Sequence, residues 1–105
     1  MVGNDKRIKL DELSLEGKVS LITGGTSGIG LAIAQAFALH HSQVIICGTS
    51  QPKAGRALKK VPQAKFYACD TGIHQQVKDT CMQVMDKWGK VDILVINAAT
   101  EFNEE

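Results

Sequence analysis

The sequence predicts an α/β fold in which short buried strands alternate with amphipathic helices around a parallel sheet. Four apolar runs lack strict apolar and polar alternation and therefore predict strands buried on both faces, at residues 19–22, 44–47, 66–69 and 91–96. Three stretches with helical spacing of apolar residues lie between them. The resulting order, β-α-β-α-β-α-β, predicts right-handed crossovers that place helices on both faces of the sheet.

The three helices are predicted from apolar side chains that recur on one side of each. The first stripe consists of Ile29, Ile33, Ala36, Phe37 and His40. The second consists of Ala54, Ala57, Leu58 and Val61, with Pro52 near the first turn. The third consists of Val77, Cys81, Val84, Met85 and Trp88, and Gly89 is expected to end it.

Length and composition limit the possible classes of protein. With 105 residues the chain forms at most one domain, which we divide into an N-terminal arm, 1–16, and a folded body, 17–105. A net charge of +1 gives no strong attraction to nucleic acid or to a membrane surface, and no apolar run is long enough for a membrane span. The three cysteines have no metal-ligand spacing, so we expect reduced, half-buried thiols, no metal site and a cytoplasmic protein.

A glycine-rich turn joins the first strand to the first helix. Residues 23–30 read TGGTSGIG. Glycines allow a tight turn and close approach of the backbone to a ligand, and the free N–H groups that start a helix attract a pyrophosphate. A turn that binds nothing is the alternative. However, the preceding strand and the following helix are the context that a dinucleotide site requires.

The spacing T-G-x-x-x-G-x-G resembles the short-chain dehydrogenase/reductase family. Three further segments are similar to that family: LEGKV at 15–19, Cys69-Asp70 after the third strand, and Asn97-Ala98-Ala99 where the family has N-A-G. The resemblance covers residues 15–100, and Ala99 in place of glycine is its one departure. It implies a partial doubly wound Rossmann fold, the N-terminal half of an NAD(P)-binding domain. The expected strand order is 3-2-1-4, with the cofactor across the carboxyl ends of the strands.

The resemblance also implies which residues bind the cofactor. They follow the carboxyl ends of the strands: Gly24, Thr26, Ser27, Gly28, Ile29, Gly30, Thr49, Asp70, Asn97 and Ala98. Asp70 is expected to meet the adenine ring, or alternatively to be a turn residue that caps the third helix. Asn97 could tie its strand to a neighbour while its loop lines the cofactor, and these two roles are compatible.

The end of the second strand bears on the choice between NADP and NAD. NAD sites usually place an acidic residue about 20 residues past the glycines, whereas residues 47–50 read CGTS. Thr49 and Ser50 offer hydroxyl groups, Lys53 offers charge, and the ending resembles family members that reduce ketoacyl carrier proteins with NADPH. Ser27 stands where many NADP-binding relatives have a basic residue. The absence of an acid and the presence of these hydroxyl and ammonium groups outweigh this difference, so we expect NADP, with NAD as the alternative.

No catalytic residue is assigned in this sequence. The family uses a Ser and a Y-x-x-x-K pair downstream of the N-A-G segment, in which the Tyr protonates the carbonyl oxygen and the Lys lowers its pKa. The single tyrosine, Tyr67, lies in the third strand and precedes Thr71 by four residues. The resemblance thus implies the cofactor-binding half of an oxidoreductase that moves a hydride between nicotinamide and a carbonyl or alcohol, inactive alone. A non-catalytic nucleotide-binding or regulatory module paired with a full-length relative is the alternative.

The expected strand order predicts self-association or pairing with a related subunit. It leaves the fourth strand at an edge of the sheet, where its outer backbone groups have no partner. The third helix would cover one face alone and leave apolar side chains of the first and fourth strands open to water. A net charge of +1 provides little repulsion between molecules.

Overall fold

The computed structural model describes residues 14–97 and contains a four-stranded parallel sheet with three helices. The strands are β1 (Val19–Thr23), β2 (Gln43–Gly48), β3 (Lys65–Ala68) and β4 (Ile93–Ile96). The helices are α1 (Gly28–Leu39), α2 (Gln51–Lys60) and α3 (His74–Trp88). The sheet order is β3-β2-β1-β4, with all neighbours parallel. The α/β class and the strand order are confirmed.

The two faces of the sheet carry different helices, as right-handed crossovers require. On one face, α1 and α2 bury a cluster built on Ile22, Val44 and Ile46. On the other face, Val84 of α3 shares a buried cluster with Leu21 and other strand residues. Helices therefore cover both faces, as predicted.

The edge strands are more exposed than their apolar runs predicted, and the expectation that the strand order leaves apolar side chains of β4 open to water is confirmed. In β4, Leu94 and Ile96 are 55% and 74% exposed. Both lie on the α3 face, because they pair in register with Leu21 and Thr23 of β1. The prediction of strands buried on both faces is therefore confirmed for β1 and β2 and wrong for β3 and β4. The expectation that β1 also exposes apolar side chains is wrong, because the α3 cluster covers them.

The buried side of α1 differs from the predicted stripe. Its buried residues are Gly30, Ala34 and Ala38, whereas Ile29 is 71% exposed. The physical reason is that Gly30 packs against the backbone of the glycine turn. Residues four apart share one side of a helix, so the small side chains that follow Gly30 face the sheet.

In α3 the predicted stripe is only partly buried. Val84 is buried, but Cys81 and Met85 are exposed. Cys47 and Cys69 are fully buried, so none of the three free thiols is half-buried as predicted. With 15 residues, α3 is the longest described helix, and no helix within residues 14–97 is long and apolar enough to cross a membrane.

The helix ends follow local sequence signals. The Ser50 hydroxyl accepts a hydrogen bond from the Lys53 N–H at 3.3 Å and caps α2, and Pro52 lies in the first turn. Gly89 ends α3 in the left-handed conformation, with φ +79°. Pro52 near the start of α2 and Gly89 at the end of α3 are both as the sequence predicted.

Only the end of the predicted arm lies within the described residues. The Leu15 N–H donates to the carbonyl oxygen of His40 at 2.7 Å, which attaches this end to the body beyond α1. The division of the chain at residue 16 stays a prediction.

Asp92 fastens the amino end of β1 to the segment before β4. Its Oδ2 accepts a hydrogen bond from the Val19 N–H at 2.8 Å and lies 3.1 Å from Lys90 Nζ. The Asp92 N–H donates in turn to the Val19 carbonyl oxygen at 2.8 Å. The Val19 N–H and then the Lys90 ammonium hold the pKa of the Asp92 carboxyl below its ordinary value of 3.8.

We expect Asp92→Asn to remove a pH-dependent contribution to stability. Because the folded pKa lies below the unfolded value, this contribution is present above the unfolded value and is lost as the pH falls through the folded pKa. The variant should melt at a lower temperature than the parent at pH 7, and the difference should shrink as both are acidified below about pH 4. Thermal melts from pH 2 to pH 7 measure it. A difference that is constant with pH would contradict the assignment.

Candidate functional site

An open cleft lies at the carboxyl ends of the strands. Its volume is about 370 Å³, which is in the range of small-molecule sites. Eight of the ten predicted cofactor-binding residues line it: Gly24, Thr26, Ser27, Gly28, Ile29, Thr49, Asp70 and Asn97. Of the other two, Gly30 lies in α1 against the glycine turn, and Ala98 lies outside the described residues.

The glycine turn forms one wall of the cleft. Gly24 and Gly28 have φ of +65° and +59°, a conformation that side chains with a Cβ rarely adopt. A Cβ added to Gly28 would meet no atom within 4 Å. Since Gly28 also lines the cleft, the missing side chain leaves room for a ligand at the backbone.

Gly30 allows α1 to touch the turn. A Cβ at this position would overlap the carbonyl oxygen of Gly24, and it would also lie 2.9 Å from Nδ2 of Asn97. Only glycine fits there without movement of the backbone. This contact places the start of α1 directly over the end of β1.

The amino end of α1 is left open towards the cleft. Ser27 is the N-cap residue, but its side chain makes no capping hydrogen bond, and the first turn contains no acidic residue. The unpaired N–H groups and the helix dipole therefore give this end a partial positive charge without an internal counter-charge. Such an end fits a pyrophosphate.

Asn97 joins the ends of β1 and β4. Its N–H donates to Thr23 Oγ1 at 3.0 Å, and its Nδ2 donates to the carbonyl oxygen of Gly24 at 3.2 Å. The predicted tie between strands is confirmed. The same residue lines the cleft, so a structural bond and a place at the site coexist.

Asp70 is a turn residue at the opposite wall. Its Oδ1 accepts a hydrogen bond from the Gly72 N–H at 2.9 Å. The N-cap of α3 is Ile73, with no side-chain cap, so the alternative is right that Asp70 is a turn residue and wrong that it caps this helix. Its N–H donates to Gln76 Oε1 at 2.8 Å, which fixes the loop beside the cleft.

Six further residues line the cleft, and the sequence had already offered two of them, Ser50 and Lys53, for the choice of cofactor. They adjoin predicted ones or follow the same strand ends: Cys47, Gly48, Ser50, Lys53, Cys69 and Thr71. Burial raises the pKa of the Cys47 thiol to about 12, so this thiol is protonated at neutral pH and is no nucleophile. Within residues 14–97, no group of three or more His, Cys, Asp or Glu side chains could hold a metal ion.

The start of α2 brings a positive charge to the cleft. Counting from the Ser50 cap, Lys53 occupies the third helical position, where a capping box would have Glu or Gln. Its side chain is exposed and lines the cleft with Thr49 and Ser50. The preceding residue, Gly48, offers no side chain, and a Cβ there would lie 3.1 Å from Thr26 Cγ2.

A comparison with protein-family models matches residues 18–105 to the short chain dehydrogenase model. The chain belongs to the short chain dehydrogenase family. The match covers most of the folded body and confirms the resemblance drawn from the glycine turn. In open α/β sheets, ligands bind in the crevice at the carboxyl ends of the strands, which is where this cleft lies.

Known members of the family are similar over most of this chain. A probable NADP-dependent mannitol dehydrogenase of Yarrowia lipolytica is 39% identical over 93 residues, covering 85% of this chain and 34% of that protein. An NAD(+) 15-hydroxyprostaglandin dehydrogenase of Macaca fascicularis is 39% identical over 92 residues, covering 82% of this chain and 35% of that protein. The chain therefore spans about a third of these relatives, which include both NADP- and NAD-dependent enzymes.

Solved structures of the family share the fold. The crystal structure of a hydroxysteroid dehydrogenase from Escherichia coli has a TM-score of 0.79 and 33% identity, covering 88% of this chain and 41% of that one. A 2-keto-3-deoxy-D-gluconate dehydrogenase from Streptococcus agalactiae has a TM-score of 0.77 and 33% identity, covering 83% of this chain and 34% of that one. Both likenesses support a partial Rossmann fold for this chain.

We expect Gly30→Ala to destabilise the protein and Gly55→Ala to leave it unharmed. The added methyl group at Gly30 overlaps the Gly24 carbonyl oxygen, and such overpacking costs about 1–3 kcal/mol. Gly55 is also helical, but a Cβ there meets nothing within 4 Å, so alanine should stabilise α2 by about 0.5–1 kcal/mol. Urea unfolding of both variants measures the two effects. Equal free energies of unfolding would contradict the close contact.

Proposed function

We propose that this chain forms the dinucleotide-binding half of an NAD(P)-dependent oxidoreductase. The observation that carries the proposal is the glycine turn, where an open helix end and the side-chain-free Gly28 border one cleft. When bound, the nicotinamide would exchange a hydride with a carbonyl or alcohol substrate. The dehydrogenase names of the relatives support this class of reaction.

Each proposed binding residue has a distinct task. The first-turn N–H groups of α1, together with Thr26 and Ser27, would bind the pyrophosphate, and Gly28 would leave room for it. Asp70 would face the adenine ring across the cleft. Asn97 and Ala98 would border the ribose next to the nicotinamide, while Gly30 would hold α1 in place.

We also propose a preference for NADP. The cleft wall after β2 contains no carboxylate, and Lys53 brings a cation beside two hydroxyl groups, those of Thr49 and Ser50. A carboxylate at the end of β2 would accept hydrogen bonds from the 2′-hydroxyl of NAD and repel the 2′-phosphate of NADP. Hydroxyl and ammonium groups instead suit a phosphate.

Cofactor binding without turnover is the direct test. We expect the purified 105-residue chain to enhance nicotinamide fluorescence when NADPH or NADH is added, and to reduce no carbonyl compound, because its only tyrosine, Tyr67, has Thr71 in place of the lysine four residues later. Gly28→Val should abolish binding, since a β-branched side chain at φ +59° strains the turn and fills the pyrophosphate space.

Circular dichroism separates lost binding from lost fold in Gly28→Val. If the folded variant bound as tightly as the parent, the pyrophosphate would not lie at the turn. If the parent chain bound neither cofactor, the proposed function would be wrong.

The preference for NADP is tested by Lys53→Glu. The change reverses the charge beside the proposed 2′-phosphate, so the Kd for NADPH should rise by about tenfold, equivalent to 1.4 kcal/mol, while that for NADH changes little. The substitution also creates a capping box with Ser50 and places an acid in the first turn of α2, so stability should be kept or raised. Fluorescence titrations with both cofactors measure this. An equal loss for NADPH and NADH would exclude a 2′-phosphate at Lys53.

We propose a cytoplasmic location for the protein. All three cysteines are free, and Cys81 is exposed. Free, accessible thiols persist in reducing compartments.

We further propose that copies of this chain associate through β4. Among the described residues this strand lies at the edge of the sheet and pairs only with β1, and Leu94 and Ile96 expose apolar surface beside its outer backbone groups. Antiparallel pairing of two β4 edges would join the sheets and shield both side chains from water.

We expect light scattering after size-exclusion chromatography to show dimers or larger species at low micromolar concentration. Leu94→Thr with Ile96→Thr should shift the chain towards monomer, because threonine favours strands but lowers the exposed apolar area. Leu39→Thr is the matched control, since Leu39 is as exposed as Ile96, 74% each, but lies on α1 at the other face. A stable monomer of the parent chain would refute association through this edge.

A further inference from the structure

Charge is distributed very unevenly along this chain. The segment 17–69 contains six Lys and Arg residues and no Asp or Glu, although the whole chain carries only +1. This acid-free segment forms β1, α1, β2, α2 and β3, which is most of the sheet and all of its α1 and α2 layer. The near-neutral net charge therefore conceals a strongly cationic half of the molecule.

Three of these cations form a ridge that leads out of the cleft. Lys53, Arg56 and Lys60 have the spacing i, i+3, i+7, so they lie along one side of α2; together they are called the cationic ridge. All three side chains are exposed, and no salt bridge within residues 14–97 involves them. The neighbouring helix α1 contains no charged residue at all. Nothing in this layer of the described protein neutralises the ridge.

Two features of the ridge are unfavourable for α2 itself, although Lys60, in the last turn, complements the negative end of the helix dipole. Lys53 lies at the positive end of the helix dipole, where an acidic residue would be stabilising. Arg56 and Lys60 are four residues apart and repel each other. A local conflict of this kind is expected where the residues serve a ligand rather than the fold.

We propose that the cationic ridge steers phosphate-bearing dinucleotides into the cleft and selects the 2′-phosphorylated form at the encounter step. The inference rests on the proposed function and assigns its electrostatic guidance to residues outside the cleft, Arg56 and Lys60. Only Lys53, the inner end of the ridge, lines the cleft. A dinucleotide with a third phosphate group interacts more strongly with such a field than one with two.

The distances suit action before contact. Lys60 lies seven positions after Lys53, which is about 10 Å along a helix. The screening length is about 30 Å at 0.01 M salt and about 8 Å at 0.15 M. The whole ridge therefore acts on an approaching anion in dilute salt, whereas at physiological salt mainly its inner end does. Guidance of this type raises association rates and leaves dissociation nearly unchanged.

Charge reversal on α2 and on α3 distinguishes steering from net charge. Arg56→Glu changes the ridge, and Lys78→Glu makes the same change at an exposed position of α3, on the other face of the sheet. Stopped-flow nicotinamide fluorescence gives kon and koff for NADPH and NADH at 10 mM and 150 mM salt. Circular dichroism and melting temperatures confirm that both variants are folded.

For Arg56→Glu we expect kon for NADPH at 10 mM salt to fall by roughly three- to tenfold, with koff unchanged, in line with the scale of electrostatic steering. The loss should be smaller for NADH, and it should largely vanish at 150 mM salt. Lys78→Glu should lower kon by less than about twofold, because its charge lies outside the acid-free half.

An equal fall in kon for the two variants would overturn the inference, since net charge alone would then explain it. So would a change confined to koff, which would place Arg56 in the bound complex. In either case the parent chain still binds dinucleotides and the proposed function stands. Failure of the parent to bind either cofactor would overturn both.

Discussion

The close contact between Gly30 and the carbonyl group of Gly24 determines how the rest of the site is built. It holds the start of α1 over the end of β1, at a distance that any side chain would prevent. The same carbonyl oxygen accepts a hydrogen bond from the side-chain amide of Asn97, so the end of β4 is attached at this point as well. Two consecutive elements, β1 and α1, and the distant strand β4 thus meet at one peptide group, and Gly24 itself lines the cleft.

The starts of α1 and α2 give the cleft a positive electrostatic potential. With α1 fixed, its uncapped amino end borders the cleft from one side, and the first turn of α2 brings Lys53 from another. Neither helix carries an acid in its first turn. Both walls therefore present positive potential to the same volume, and this is the arrangement that an anion with two or three phosphate groups requires.

The sequence predicted the parts of the fold that depend on local pattern. The glycine turn, the alternation of strands and helices, the Pro52 start and the Gly89 stop are all set by neighbouring residues. The buried side of α1 was not predicted, because it depends on a steric contact between Gly30 and Gly24 that apolar periodicity does not register. The exposure of Leu94 and Ile96 was partly predicted, since strand order alone places β4 at an edge. Lys53 was raised from the sequence as a charge for the 2′-phosphate, but its alignment with Arg56 and Lys60 follows from the observed start of α2.

The first turn of α2 has a further consequence for the motions of the protein. A single side-chain hydrogen bond of 3.3 Å, from the Lys53 N–H to Ser50 Oγ, caps this turn, and the adjacent positive charge opposes it. Helix ends of low local stability open more often than the core. Amide hydrogens in the first turn of α2 should therefore exchange with solvent faster than those in the buried middle of α1. An anion beside Lys53 would slow that exchange, so that the ligand serves as the missing part of the cap.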